Sequence, residues 1–230
     1  MTSQFTFFEG SSSELPEGAQ YRSQLISERE QTALLHRVRE LPFKEFEFHG
    51  FKGKRRTVSF GWQYEFSGRG QLKKAQDIPD YLLSLRAVAA KFAQLEAESL
   101  QHVLVIEYGP GSGIGWHRDR PVFGEVVGIS LLAPCLLRFR RQVQPSLSTQ
   151  KTGVNQSDLR STLIAQHSRR AKGGSHRVVP PRATWERFNL TAEPRSAYHL
   201  TGPARWEWQH SILRVETLRY SITFRTMSEE

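Results

Sequence analysis

Residues 108–131 read "YGPGSGIGWHRDRPVFGEVVGISL". A glycine-rich turn leads into "GIGWHRDR", which sets His117 and Asp119 two apart, and then into an apolar, β-branched run. At strand pitch, residues two apart share a face. An imidazole and a carboxylate would then point the same way. His-x-Asp alone fits a surface turn equally well, because the chain has eight histidines and some coincidence is expected. The stretch decides the fold through its neighbours. From about residue 102, "HVLVIEY", "EVVGISLLA", "CLLRFRR", "SAYHL", "WEWQHSI" and "LRYSITFRT" are short strand-like runs between turn signals. No helical period separates them, which predicts a β-sandwich or barrel.

Upstream the pattern changes. "ISEREQTALLHRVRELPF" (26–43) predicts a helix: Ser27 and Glu30 form a capping box, Leu34, Leu35, Val38 and Leu41 make one stripe, and Pro42 ends it. "IPDYLLSLRAVAAKFAQLEAES" (78–99) predicts a second, with Leu82, Leu85, Ala89 and Phe92 on one face. Between them, residues 46–74 alternate aromatic and polar residues around glycine turns and are strongly basic, as in one or two hairpins. Residues 142–182 are polar, basic and rich in Pro, Gly and Ser, which predicts a long insertion between strands. The expected division is a flexible tail (1–20), an extension with helices and hairpins (21–100), and a β core (101–230) carrying that insertion, all in one compact unit.

The chain has 32 Lys and Arg against 23 Asp and Glu, a formal charge of +9. Such an excess suits a polyanionic partner, since each neutralised phosphate releases counterions. A basic protein without such a partner is the plain alternative. There is no run of about 18 apolar residues and so no membrane span. No signal-peptide pattern opens the sequence. The one cysteine, Cys135, excludes an intrachain disulfide. We expect a cytoplasmic monomer.

His117 and Asp119 need a third ligand, and His210 in "GPARWEWQHSI" is the best candidate. Two His and one carboxylate with open positions form the facial triad of non-haem Fe(II) oxygenases. Such chemistry needs a reductant, usually 2-oxoglutarate, and cations for its carboxylates. "LRYSITFR" (218–225) supplies them: in a strand Arg219, Ser221, Thr223 and Arg225 share one face, and Tyr220, Ile222 and Phe224 the other. Facing inward, two arginines need a counter-anion. Facing outward, they would simply be solvated.

Together, "IEYGPGSGIGWHRDR", "EVVGISLLAP", "GPARWEWQHSI" and "LRYSITFR" resemble the AlkB family of Fe(II)/2-oxoglutarate dioxygenases in content and order across residues 102–230. "RRTVSFGWQYEFSG" is similar to that family's nucleotide-recognition lid. The resemblance implies an α+β, mainly β fold, with a double-stranded β-helix (jelly-roll) core and an N-terminal extension forming the lid. It implies Fe(II) on His117, Asp119 and His210, 2-oxoglutarate and O2 as cosubstrates, and Tyr108 and Arg219 at the distal end of 2-oxoglutarate. Arg225 would lie near its chelating end, with Ser221 and Thr223 between. Two positions depart from the family pattern: Ile106 and Ser221 stand where Asn is frequent.

The family's reaction is oxidative dealkylation. 2-Oxoglutarate is decarboxylated to succinate and CO2, an N-alkyl carbon is hydroxylated, and the hemiaminal collapses to release an aldehyde. A base must leave its stack to reach a buried iron. By similarity Phe66 would stack on it, with Trp62 and Tyr64 beside it, although these two fit β-core packing as well. Arg55 and Arg56 would contact phosphates, and Arg138 would flank the site mouth. The expected substrate is alkylated DNA or RNA. The alternatives are the same chemistry on a methylated protein side chain, which an acidic lid would have favoured, and a non-catalytic nucleic-acid-binding jelly roll.

Overall fold

The computed structural model describes residues 15–48, 51–65, 71–143 and 184–228. The predicted helices form where apolar stripes and caps coincide. Helix α1 (Glu28–Val38) starts at Ser27, whose hydroxyl accepts from the Glu30 amide at 3.2 Å while the Glu30 carboxylate accepts from the Ser27 amide at 2.7 Å. It buries Leu34, Leu35 and Val38. Helix α2 (Asp80–Ala93) ends earlier than its apolar pattern suggests. Gln94 turns left-handed (φ 59°) and its amide bonds back to the last helical carbonyls. The remaining "AES" forms only a 3-10 turn, Ala97–Ser99.

Thirteen strands are present among the described residues. Strands β1 (Ala19–Arg22), β2 (Lys44–Phe48), β3 (Phe51–Phe60), β4 (Trp62–Glu65) and β5 (Gln71–Lys74) belong to the N-terminal part. The remainder are β6 (Leu100–Tyr108), β7 (Ile114–His117), β8 (Phe123–Leu131), β9 (Cys135–Val143), β10 (Thr184–Ala192), β11 (Ala197–Leu200), β12 (Gln209–Ile212) and β13 (Arg219–Met227). A short helix α3 (Gly202–Trp206) precedes β12. Trp206 therefore lies on a helix, not on the strand expected for "WEWQHSI". Strands β1 and β10 had no reading in the sequence.

The strands form a seven-stranded sheet ordered β1-β11-β8-β13-β6-β3-β2, a four-stranded sheet ordered β10-β9-β12-β7, and the two-stranded ribbon β4-β5. All registered pairs are antiparallel. The N-terminal strands β2 and β3 thus extend the main sheet instead of forming a separate layer. By contacts the chain divides into two units, residues 1–141 with 187–230, and residues 142–186. Most of the second unit, and with it the expected insertion 142–182, lies outside the described residues.

Strand alternation divides the interior of the first unit into two cores. Val103 and Val105 of β6, Val127, Ile129 and Leu131 of β8, and Tyr220, Ile222 and Phe224 of β13 pack against α1 and α2. The opposite face contributes Ile106, Tyr108 and Val126 to a core shared with Leu137, Phe139 and Ile212 of the smaller sheet. Antiparallel sheets packed face to face agree with the expected mainly β sandwich.

One glycine sets the inner face. Tyr198 of β11 pairs with Gly128 of β8. A Cβ on Gly128 would fall 2.2 Å from the Tyr198 ring, so the ring lies flat only because the side chain is absent. We predict that Gly128→Ala costs roughly 1–3 kcal/mol of stability, read from urea denaturation, because Tyr198 must move. Gly109→Ala, which meets nothing within 4 Å, should change stability by no more than about 0.5 kcal/mol.

Candidate active site

The smaller sheet assembles three potential ligands. Strands β7 and β12 are antiparallel and pair His117 with His210 directly, bringing their ring centroids to 4.3 Å. Asp119 follows two residues beyond His117. The ligand atoms of His117, Asp119 and His210 all lie within 4.8 Å of one another, close enough to hold one metal ion. The His117 ring contacts the Gly115 carbonyl through Nδ1 at 2.9 Å. If Nδ1 carries the proton it donates there, and Nε2 keeps its lone pair for a metal.

Electrostatics favour the ligating forms. Burial would raise the Asp119 carboxyl, but Arg225, His210 and His117 override it and hold the group well below the usual carboxylate range. Arg225 Nη2 donates to Asp119 Oδ1 at 3.2 Å. Burial lowers His210 to about 3, and the neighbouring His117 adds to this. Burial also lowers His117. Both imidazoles are therefore neutral at neutral pH, as a metal requires.

The inner face of β13 supplies the second half of the site. Arg219, Ser221, Thr223 and Arg225 are all buried there. Arg219 is 2% exposed, yet its Nη2 finds only the Ser130 hydroxyl at 3.0 Å. Its guanidinium lies 4.7 Å from the centre of the Tyr108 ring. Among the described residues its Nε and Nη1 have no hydrogen-bond partner, and neither does Nε of Arg225. Buried, charged donors left unsatisfied are costly, and a small dicarboxylate would satisfy them in bidentate fashion. The residues present thus fit 2-oxoglutarate. Burial raises the phenols of Tyr108 and Tyr198, so both remain protonated donors.

Ile106 and Ser221, the two departures from the family pattern, turn out to be cross-strand partners on β6 and β13. Their substitution is one local change. The Ser221 hydroxyl engages Tyr108, and Ile106 packs apolar surface beside it.

Other expected site residues are divided by the pleat. Arg56 pairs with Glu107 at 2.7 Å and lies over the Phe43 ring, on the helix-covered face. Alternation turns Arg55 to the opposite face, that of Ile106 and Tyr108. Arg138, expected at the site mouth, lies with its guanidinium 4.8 Å from the centre of the Trp116 ring, on the face of β9 opposite to Phe139. Trp62 is half-buried on β4. The Tyr64 ring lies 4.9 Å from the Arg120 guanidinium, which joins the ribbon to the loop after Asp119. Phe66 lies outside the described residues.

Several contributors had no signal in the sequence. His102 is 3% exposed and accepts from Arg225 at 3.3 Å, behind Asp119. Arg205 of α3 is equally buried and donates to the carbonyls of Asp119, Arg120, Phe123 and Gly124. It thereby fixes the loop that carries the acidic ligand. An arginine in a five-residue helix has no periodicity to betray such a role.

Comparison with known proteins agrees with this geometry. A family model described as the 2OG-Fe(II) oxygenase superfamily matches residues 18–225. The probable RNA/DNA demethylase ALKBH6 of Danio rerio is 31% identical over 131 residues, 56% of this chain and 53% of that protein. The alkylated DNA repair protein ALKBH8 homolog of Arabidopsis thaliana is 25% identical over 167 residues, 69% of this chain and 42% of that protein. The chain spans about half the length of the curated relatives it matches. Both are AlkB homologues, as the four motif blocks implied. The structure of OsALKBH1 superposes with TM-score 0.55 at 14% identity, covering 91% of this chain and 98% of that one. A Pseudomonas putida prolyl-4-hydroxylase gives TM-score 0.50 at 13% identity, covering 93% and 94%. These two structural matches establish a shared fold.

A pH effect follows from the buried imidazoles. His102 is lowered well below its usual value by burial and then by Arg225, in the same direction as His210. The unfolded chain takes up these protons as pH falls through about 6.5. The folded chain does not, so stability rises with pH in that range. We predict that the metal-free protein melts at a lower temperature near pH 5.5 than near pH 7.5, and that His102→Asn narrows the gap.

Proposed function

The chain belongs to the 2OG-Fe(II) oxygenase superfamily, enzymes that use Fe(II), 2-oxoglutarate and O2. From that premise we propose that it oxidatively removes alkyl groups from nitrogen atoms of bases in DNA or RNA, releasing an aldehyde, succinate and CO2. His117, Asp119 and His210 would hold the iron. When bound, iron couples the decarboxylation of 2-oxoglutarate by dioxygen to hydroxylation of a C–H bond.

The chain's own residues would do the rest. Arg219 and the Tyr108 hydroxyl would receive the distal carboxylate of 2-oxoglutarate. Arg225 would hold one oxygen of Asp119 and leave the other for the metal. Trp208 (3% exposed) and Ile212 (9%) would keep water from the inner wall. The loop clamped by Arg205 would hold Asp119 in position while a base enters. A flipped base would sit against the His117 imidazole, with Tyr64 and Arg120 at the rim.

The observation that carries the nucleic-acid reading is the character of that rim. Arg120 lies on an aromatic ring of the ribbon. Arg55, on the inner face, stands close enough to His117 and Tyr108 to depress the one's basicity and stabilise the other's phenolate. Cations and aromatic faces suit a phosphodiester with an extruded base, on a chain with a formal charge of +9. A methylated lysine or arginine side chain would meet repulsion there.

The test is succinate formation with Fe(II), 2-oxoglutarate and an oligonucleotide carrying one methylated base. His117→Ala and Asp119→Ala should reduce it to background. Tyr64→Ala should raise KM for the oligonucleotide about tenfold, the loss of one stacking contact. Turnover of methylated peptides with none on oligonucleotides would contradict the proposal.

A further inference from the structure

The inner face of the seven-stranded sheet is built in rows, because directly opposed residues of antiparallel strands share a face. Arg219 pairs with Tyr108 in the first row. Ile106, Ser221 and Ser130 make the second. Leu104, Thr223, Gly128 and Tyr198 make the third, and His102, Arg225, Val126 and Leu200 the fourth. Consecutive rows lie roughly 7 Å apart, two residues of extended strand. The Arg219 guanidinium leans forward into the second row, to the Ser130 hydroxyl. Arg225 holds Asp119 from the fourth. A molecule that joins Nε and Nη1 of Arg219, unsatisfied among the described residues, to a metal on Asp119 therefore passes over the third row.

In that row a tyrosine lies over a glycine. The far end of the Tyr198 phenol, its Cζ and Oη, takes the space that a Cβ on Gly128 would fill. The ring therefore reaches from β11 across β8, towards Thr223 on β13. Its electrostatic surroundings agree with a central place. Burial raises the phenol, and Tyr108 at one end of the cavity and Asp119 at the other add to this, against Arg225. The hydroxyl thus stays protonated and can donate to an anion. The polar groups one row back are already engaged. Ser221 bonds to Tyr108, and Ser130 accepts from Arg219 and donates to the Ala192 carbonyl at 3.3 Å. Ile106 has no donor to offer.

We propose that Tyr198 is a further cosubstrate-binding residue, its ring flooring the middle of the cavity and its hydroxyl donating to an oxygen of 2-oxoglutarate between Arg219 and the metal. The inference rests on the proposed seat of 2-oxoglutarate and adds a contact to it. Gly128 and Tyr198 act as a pair, since only a residue without a side chain lets the phenol lie over β8. A neutral donor to a charged acceptor makes one of the stronger hydrogen bonds, and more so out of water. The competing role is packing alone, which the ring would fill equally well without its oxygen.

The experiment titrates 2-oxoglutarate calorimetrically into the Mn(II)-loaded wild type and Tyr198→Phe, which keeps the ring and removes only the hydroxyl. Thermal melting confirms that the variant is folded. The Kd for 2-oxoglutarate should rise about tenfold, the loss of one hydrogen bond to an anion. The Mn(II) affinity measured without 2-oxoglutarate should equal that of the wild type. Equal 2-oxoglutarate affinity in the two proteins would overturn the proposal and leave packing as the role of the ring. A loss of Mn(II) affinity as large as the loss of 2-oxoglutarate affinity would overturn it too, because the phenol would then act on the metal ligands. Arg219→Met in the same assay tests the underlying seat. If Arg219→Met binds 2-oxoglutarate as the wild type does, the seat itself fails. If it binds weakly while Tyr198→Phe binds normally, the seat stands and the Tyr198 contact alone fails.

Discussion

Two arginines buried on one strand are the constraint on which the rest of the site depends. Strand β13 runs through the middle of the seven-stranded sheet, between β6 and β8. Its alternate residues Tyr220, Ile222 and Phe224 lock it to the helical side. The pleat then forces Arg219 and Arg225 into the interior of the sandwich. Burying a charged group without a partner is costly, and the protein offsets only part of that cost. Ser130 takes one N–H of Arg219, and His102 and Asp119 take two of Arg225. The donors that remain define an anion pocket, and its shape follows from the strand.

Asp119 links this pocket to the metal centre. Its carboxylate faces Arg225 on one side and two imidazoles on the other, and that is why it stays ionised despite burial. The arrangement is coupled. Without Arg225, Asp119 would lose the guanidinium that does most to keep it charged. His102 and Arg205 act at one remove, the first behind Arg225 and the second on the backbone that carries Asp119. The inner wall therefore serves as a single electrostatic unit built from β6, β7, β12, β13 and α3.

Much of this was legible in the sequence, for physical reasons. The period-2 pattern of "RYSITFR" separates charge from apolar surface sharply enough to fix the strand, but it leaves open whether the arginines face inward or outward, which the packing of the second sheet decides. The capping box at Ser27 and Glu30 is a local interaction that needs no tertiary context. The His-x-Asp and the distant His lie on runs with clear strand character, and their order matched a known family. Other features depend on contacts that no local pattern encodes. The left-handed Gln94 shortens α2 although the apolar stripe continues. Arg56 looked equivalent to Arg55, but one residue of pleat sends it to Glu107 on the other face. Arg138 sits next to the inward Phe139 and so turns outward to Trp116, a contact across an intervening strand. His102 and Arg205 act through buried hydrogen bonds to groups distant in sequence. The stacking residue expected at Phe66 falls outside the described residues.

The central claim is that one cavity binds a metal and a dicarboxylate interdependently. Calorimetric titration of 2-oxoglutarate into the wild type and Arg219→Met, with and without Mn(II) as a redox-silent stand-in for iron, tests it most directly. The account predicts tight binding only in the wild type with metal, and weak binding when either Mn(II) or the Arg219 guanidinium is removed. Binding of equal strength with and without Mn(II), or unchanged in Arg219→Met, would contradict it.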